Sequence, residues 1–169
     1  RKDGPGHAGQ GLSTVIPEIG QLCLVLALCL AVVQFGLPLL GAQFEQPGWM
    51  AVARPAAHGQ LLFLLAAFAC LATAFLQDDF SVLYVANNSN SALPQIFKFA
   101  AVWGAHEGSL LLWALILGIW TSAVALFSRT LPTPMVARVL AVMGAIAIGF
   151  TSFILFTSNP FWRLGDPPL

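Results

Sequence analysis

Charge is what this sequence has least of. Asp, Glu, Lys and Arg together make up 8% of the 169 residues, against 58% hydrophobic residues. A soluble domain carries about 25% charged residues. So few charges cannot solvate a protein surface, so lipid is the solvent for most of this chain. Seven Lys and Arg balance seven Asp and Glu. No run of basic residues exists to neutralise phosphates, which argues against a nucleic-acid partner. Cysteine is also scarce. Cys23, Cys29 and Cys70 form neither CxxC nor CxxCH. A thioredoxin-like site, a zinc site and covalent haem attachment therefore lack their ligand spacing. Each cysteine sits in an apolar run and reads as a small apolar side chain. No metal site and no catalytic residue is assigned. The period-2 alternation of a membrane barrel is absent, and so is any internal repeat.

What the sequence does have is four long apolar segments, at about 19–40, 57–76, 99–127 and 139–157. At 1.5 Å per residue each can cross a hydrocarbon core of about 30 Å. Lipid offers backbone polar groups no partner, so each must be helical. The expected fold is an all-α integral membrane protein with four transmembrane helices over residues 15–161. Breakers separate them: Pro38, Gly41, Pro47 and Gly48 after the first, Pro132 and Pro134 before the fourth. Residues 1–14 are polar and Gly-rich, with nothing to bury, and read as a disordered leader. Residues 77–98 form a loop too apolar for a free linker, and 162–169 a short closing segment. Arg54, Arg129 and Arg138 lie on one side. Lys98 and Arg163 lie on the other, with Arg1 and Lys2 if the leader counts. Counting Lys and Arg alone does not orient the bundle.

The third segment holds the polar residues that matter most. In "VWGAHEGSLLLW", His106, Trp113 and Trp120 fall seven apart and share one helix face. Glu107 points about 100° away, so the two neighbours need separate partners. If the segment starts near Phe99, Glu107 lies about 12 Å along the helix. An acid at mid-membrane costs about 3 kcal/mol on insertion scales, so Glu107 belongs near the interface or against protein. It reads as an interhelical acceptor, a ligand or proton-pathway group, or a water-exposed helix entry. His106 reads as a hydrogen-bonded structural residue or a haem ligand. His58 begins the second segment at the opposite membrane face, which leaves His106 no partner for bis-histidine ligation. Trp103, Trp113 and Trp120 suit core packing or an interfacial belt, or an apolar surface of porphyrin size. Gly104 and Gly108 form a G-x-x-x-G step, and Ala141, Ala145 and Gly149 repeat the spacing. These are the expected helix-packing faces. In the loop, Asn87, Asn88 and Asn90 supply donors and acceptors for tight turns or an outer surface.

Five stretches in order carry a resemblance: "IPEIG" (16–20), "DDFSVLYVANNSNSALP" (78–94), "WGAHEGSLLLW" (103–113), "ARVLAVMG" (137–144) and "LFTSNPF" (155–161). Together they resemble the N-terminal part of the CcmF family, the haem-handling membrane subunit of cytochrome c maturation. A close relative serving nitrite reductase assembly shares the pattern. The resemblance implies a role in a haem lyase that joins haem to apocytochrome c. Its partners would be a haem-delivery chaperone and a CxxC-bearing, thiol-handling subunit. It implies the bacterial inner membrane, with the N-terminus and residues 77–98 and 158–169 in the periplasm. It also implies a start at Val15, with 1–14 as a leader. Family members are several times longer, and their tryptophan-rich "WWD" haem motif is absent here. No axial ligand is therefore carried over, and this stretch alone is not expected to be active. Trp103, His106, Glu107 and Trp113 are candidates to support the haem site through packing. The competing classes are a proton- or ion-conducting subunit and a cofactor-free membrane scaffold. The first would need further ionisable residues deep in helices one, two or four, and none is present.

Overall fold

The computed structural model describes residues 7–92 and 94–163, with side chains from residue 15 onward. All seven of its elements are helical: α1 (His7–Gln43), α2 (Pro47–Ala51), α3 (Ala53–Leu76), α4 (Leu83–Asn88), α5 (Gln95–Ala101), α6 (His106–Phe127) and α7 (Thr133–Phe156). Four spans are long and apolar enough to cross a membrane: Val15–Gln43, Pro47–Leu76, His106–Phe127 and Thr133–Phe156. α1 packs on α3 and α7, α3 on α6, and α6 on α7. The four long helices therefore close a ring in the order α1, α3, α6, α7.

The buried positions are mostly small. Ala27, Ala31, Ala57, Ala67, Ala114, Ala137 and Ala141 are buried, while Leu62, Val142, Trp113 and Phe127 point outward. Helix association in lipid gains little from hydrophobicity, because lipid tails are as apolar as leucine. Close backbone approach is what stabilises it. At Gly144 an added Cβ would sit 3.0 Å from the Phe35 amide nitrogen and 3.2 Å from the Ala31 carbonyl, so α1 and α7 meet backbone to backbone there. Beside this contact the Gln34 carboxamide donates to the Leu140 carbonyl at 2.8 Å.

α1 and α3 stop in the same way. Glu45 and Asp78 adopt φ of 54°. The next amides, Gln46 and Asp79, bond back five residues to Gly41 and Ala74. This is a Schellman ending, built with an acidic residue where glycine is usual.

The fold departs from the sequence expectations in three places. Residues 7–14, expected as part of a disordered leader, continue α1, because extending an existing helix fixes one residue per new hydrogen bond. Residues 1–6 and 164–169 lie outside the described residues. The third segment is not one helix over 99–127: it breaks between Ala101 and His106, where Ala105 is extended (φ −123°, ψ −179°). Finally, the packed face of α7 runs through Ala137, Ala141, Gly144 and Ala147. Gly149 has open space around it, and Ala145 is only half-buried. Of the expected Ala141–Ala145–Gly149 face only Ala141 is buried, because α1 approaches α7 through the Gly144 face.

Candidate functional site

One end of the bundle carries a structured cap. It is built from residues 77–92 and 94–105, the first turn of α6, and the segment after α7. Tyr84, the single tyrosine of the chain, lies at its centre. Its ring packs edge-on against Phe75, with centroids 5.2 Å apart. Its hydroxyl donates to the Val102 carbonyl at 3.0 Å. Burial pushes the phenol pKa up. The amides of Ala105 and Gly108 act against that shift, and the nearby Glu107 charge adds to it. Tyr84 therefore plugs the break between α5 and α6 and meets α6 amides that have no partner within the helix.

Gly108 makes that plug possible. A Cβ there would overlap the Val102 carbonyl and lie 2.6 Å from the Tyr84 hydroxyl. Its role differs from the expected G-x-x-x-G step, since Gly104 lies in the break and its nearest neighbours are Ala100 and Ala101 of the preceding turn. Ser109 finishes the turn, its hydroxyl donating to the Trp103 carbonyl at 2.7 Å.

Two further contacts tie the cap down. Lys98 of α5 is buried and pairs with Asp78 at 2.5 Å. The segment after α7 folds back over the cap: the Leu83 amide donates to the Trp162 carbonyl at 2.9 Å, and Val82 and Arg163 form an isolated antiparallel bridge. Arg163 also lies 3.4 Å from Glu18 of α1. Phe161 is buried against Gly20, where a Cβ would overlap the ring.

The candidate residues are distributed as follows. His106 is the first residue of α6 and is exposed, its ring edge-on to Phe153 with centroids 6.3 Å apart. Glu107 is in the first helical turn, not 12 Å along a helix, because the break restarts the count. There its charge complements the helix dipole. Trp103 sits in the break, edge-on to Phe99. Trp113 is 62% exposed and faces away from the core. Asn88 donates to the Tyr84 carbonyl at 2.9 Å. Asn90 accepts from the Ala92 amide at 3.1 Å, while Asn87 is exposed. Below His106, Leu110, Ile146, Gly149, Phe150 and Phe153 line an apolar groove of about 320 Å³ between α6 and α7. Sequence reasoning missed Tyr84, Gly20 and Lys98. The signal for Tyr84 was its rarity; nothing local marked the other two.

Among the described residues no three of His, Cys, Asp and Glu gather as metal ligands. His58 lies near the start of α3 at the far end of the bundle, its Nδ1 within 2.5 Å of Ser122 Oγ. His58 and His106 therefore cannot bracket one iron, and these two residues do not form an axial haem pair.

No family model matches the chain. It is 67% identical over 150 residues to the cytochrome c-type biogenesis protein CcmF of Pseudomonas aeruginosa, covering 89% of this chain and 23% of that protein. It is 50% identical over 149 residues to CcmF of Escherichia coli, covering 88% of this chain and 23% of that protein. A solved structure of a cytochrome c haem lyase CcmF matches with a TM-score of 0.83 at 31% identity, over 89% of this chain and 25% of that one. The chain spans about a quarter of the length of these relatives.

Proposed function

Because the chain belongs to the CcmF family of cytochrome c-type biogenesis proteins, we propose that it forms the four-helix membrane region of a haem lyase subunit and carries part of its outer surface. In this reading the subunit holds haem for thioether formation with the thiols of an apocytochrome c. The axial ligands come from outside this stretch, since His58 and His106 lie at opposite ends of the bundle. The chemistry belongs to haem and the thiols, while the protein positions them. The chain's own task is to keep the outer cap rigid.

One observation supports this best. Four of the five stretches that resemble the family meet in the cap: Gly20 under Phe161, Tyr84 over the break, Gly108 beneath Tyr84, and Leu83 against Trp162. A surface so tied presents Asn87, Trp103, His106 and Glu107 in fixed positions. The haem-delivery chaperone, the thiol-handling subunit and apocytochrome c would approach from this side. The membrane would be the bacterial inner membrane, with the cap in the periplasm.

The test uses the full-length protein. Covalent haem on a reporter c-type cytochrome is measured at matched protein level. Tyr84→Phe and Gly108→Ala lower it, whereas His106→Ala leaves the haem absorbance of the purified protein unchanged. Loss of that absorbance in His106→Ala would make His106 a ligand and overturn the assignment. The ion-conducting alternative gains nothing, because the buried polar side chains within the spans are the neutral Gln34, Gln60, Thr121 and Thr151.

A further inference from the structure

The other end of the bundle carries a cavity of about 320 Å³ between α2, the start of α3 and the α6–α7 turn. Arg54 and Arg129 line it together with Met50, Leu131, Thr133 and Val136, and no carboxylate does. Arg54 donates to the Ser128 carbonyl at 3.2 Å, which holds its guanidinium at the rim. Arg129 is exposed and has no partner among the described residues. Both 24-residue helices α3 and α7 begin here, and neither has a side-chain cap. Their dipoles add positive potential to that of the two arginines. Ser128, buried at the same turn, has a hydroxyl without a partner. Among the described residues the one carboxylate at this end, Glu45, lies in the turn between α1 and α2 and is not part of the lining.

Position and wall chemistry select the ligand. The cavity lies where the four apolar spans end, the level at which headgroups would meet the bundle. Its apolar wall of Met50, Leu131 and Val136 would suit a glycerol and the start of acyl chains. Trp49, Phe44 and Phe127 are exposed at the same level, as in an interfacial aromatic belt. We infer that this cavity binds the phosphate headgroup of an anionic phospholipid between Arg54 and Arg129.

The test purifies the intact full-length protein in non-ionic detergent and counts retained lipid by native mass spectrometry. Dioleoylphosphatidylglycerol, dioleoylphosphatidylcholine with the same tails, and sodium phosphate are titrated separately. The glycerol lipid is retained in preference to the choline lipid. Arg129→Glu lowers that preference about fivefold or more, the scale of one cation near an anionic lipid. Arg129→Lys keeps most of it, and Gln95→Glu, on the opposite end, changes nothing. Equal retention of the two lipids, or a wild-type preference in Arg129→Glu, overturns the site. Displacement of the lipid by millimolar phosphate assigns the cavity to a free anion and overturns the lipid reading. Arg129 makes no contact that folding needs, so these variants report binding rather than misfolding.

Discussion

Gly108 and Tyr84 show how little room the cap leaves. A methyl at Gly108 overlaps the Val102 carbonyl, so either the break opens or α6 shifts. Overpacking of this kind costs about 1–3 kcal/mol. Gly108→Ala should lower the thermal midpoint in detergent, while Gly149→Ala, with open space around it, should not. Tyr84→Phe removes the bond to Val102 and strands that carbonyl, at a cost of about 1–3 kcal/mol. Tyr84 also has a pH signature. Its phenol is raised in the folded state by burial, so the folded chain holds that proton more tightly than the unfolded one. The stabilisation is complete below the ordinary phenol value of about 10 and is lost as pH rises above it. With one tyrosine in the chain, phenolate absorbance should report this titration alone, shifted upward and absent in Tyr84→Phe.

Among the elements, the spans were legible in the sequence and the α5–α6 break was not. Hydropathy averages over a window, and "FAAVWGAHEGS" contains no proline and only two glycines, Gly104 and Gly108. The cause of the break is non-local: Tyr84 bonds the Val102 carbonyl from 18 residues away. The ends of α1 and α3 were visible only in part. Pro47 and Gly48 announced a turn, but the left-handed residues are Glu45 and Asp78, chosen by the Schellman bonds around them. α5 straddles the expected loop 77–98 and the start of the third segment, so neither pattern marked it. In the fold Lys98 is buried on Asp78, leaving Ile96 and Phe97 exposed. Lys98→Met should lower stability by about 2 kcal/mol. This is below the cost of breaking a fully buried pair, because Asp78 keeps some solvent. Asp78→Asn added to Lys98→Met should restore part of the loss, read as the unfolding midpoint of a double-mutant cycle.

For the whole molecule, charge separates by end. Among the described residues the cap end holds Glu18, Asp78, Asp79 and Glu107 against Lys98 and Arg163. The other end holds Arg54, Arg129 and Arg138 against Glu45. With the cap outside, a cysteine placed at Asn87 should react with a membrane-impermeant maleimide in intact cells. One at Arg129 should react only after permeabilisation. The reverse pattern would invert the bundle.

By itself the sequence determined the solvent, the number of spans and their helical form. Those follow from composition and from the need to satisfy backbone hydrogen bonds in lipid, both carried by consecutive residues. Only the tertiary structure decided which small faces meet, where the third segment breaks, and which residues build the cap. Each of these depends on atoms brought together from distant positions, as Phe161 is on Gly20 and Arg54 on Ser128. No local pattern encodes such a meeting, because the free energy of each contact belongs to the pair rather than to either residue alone.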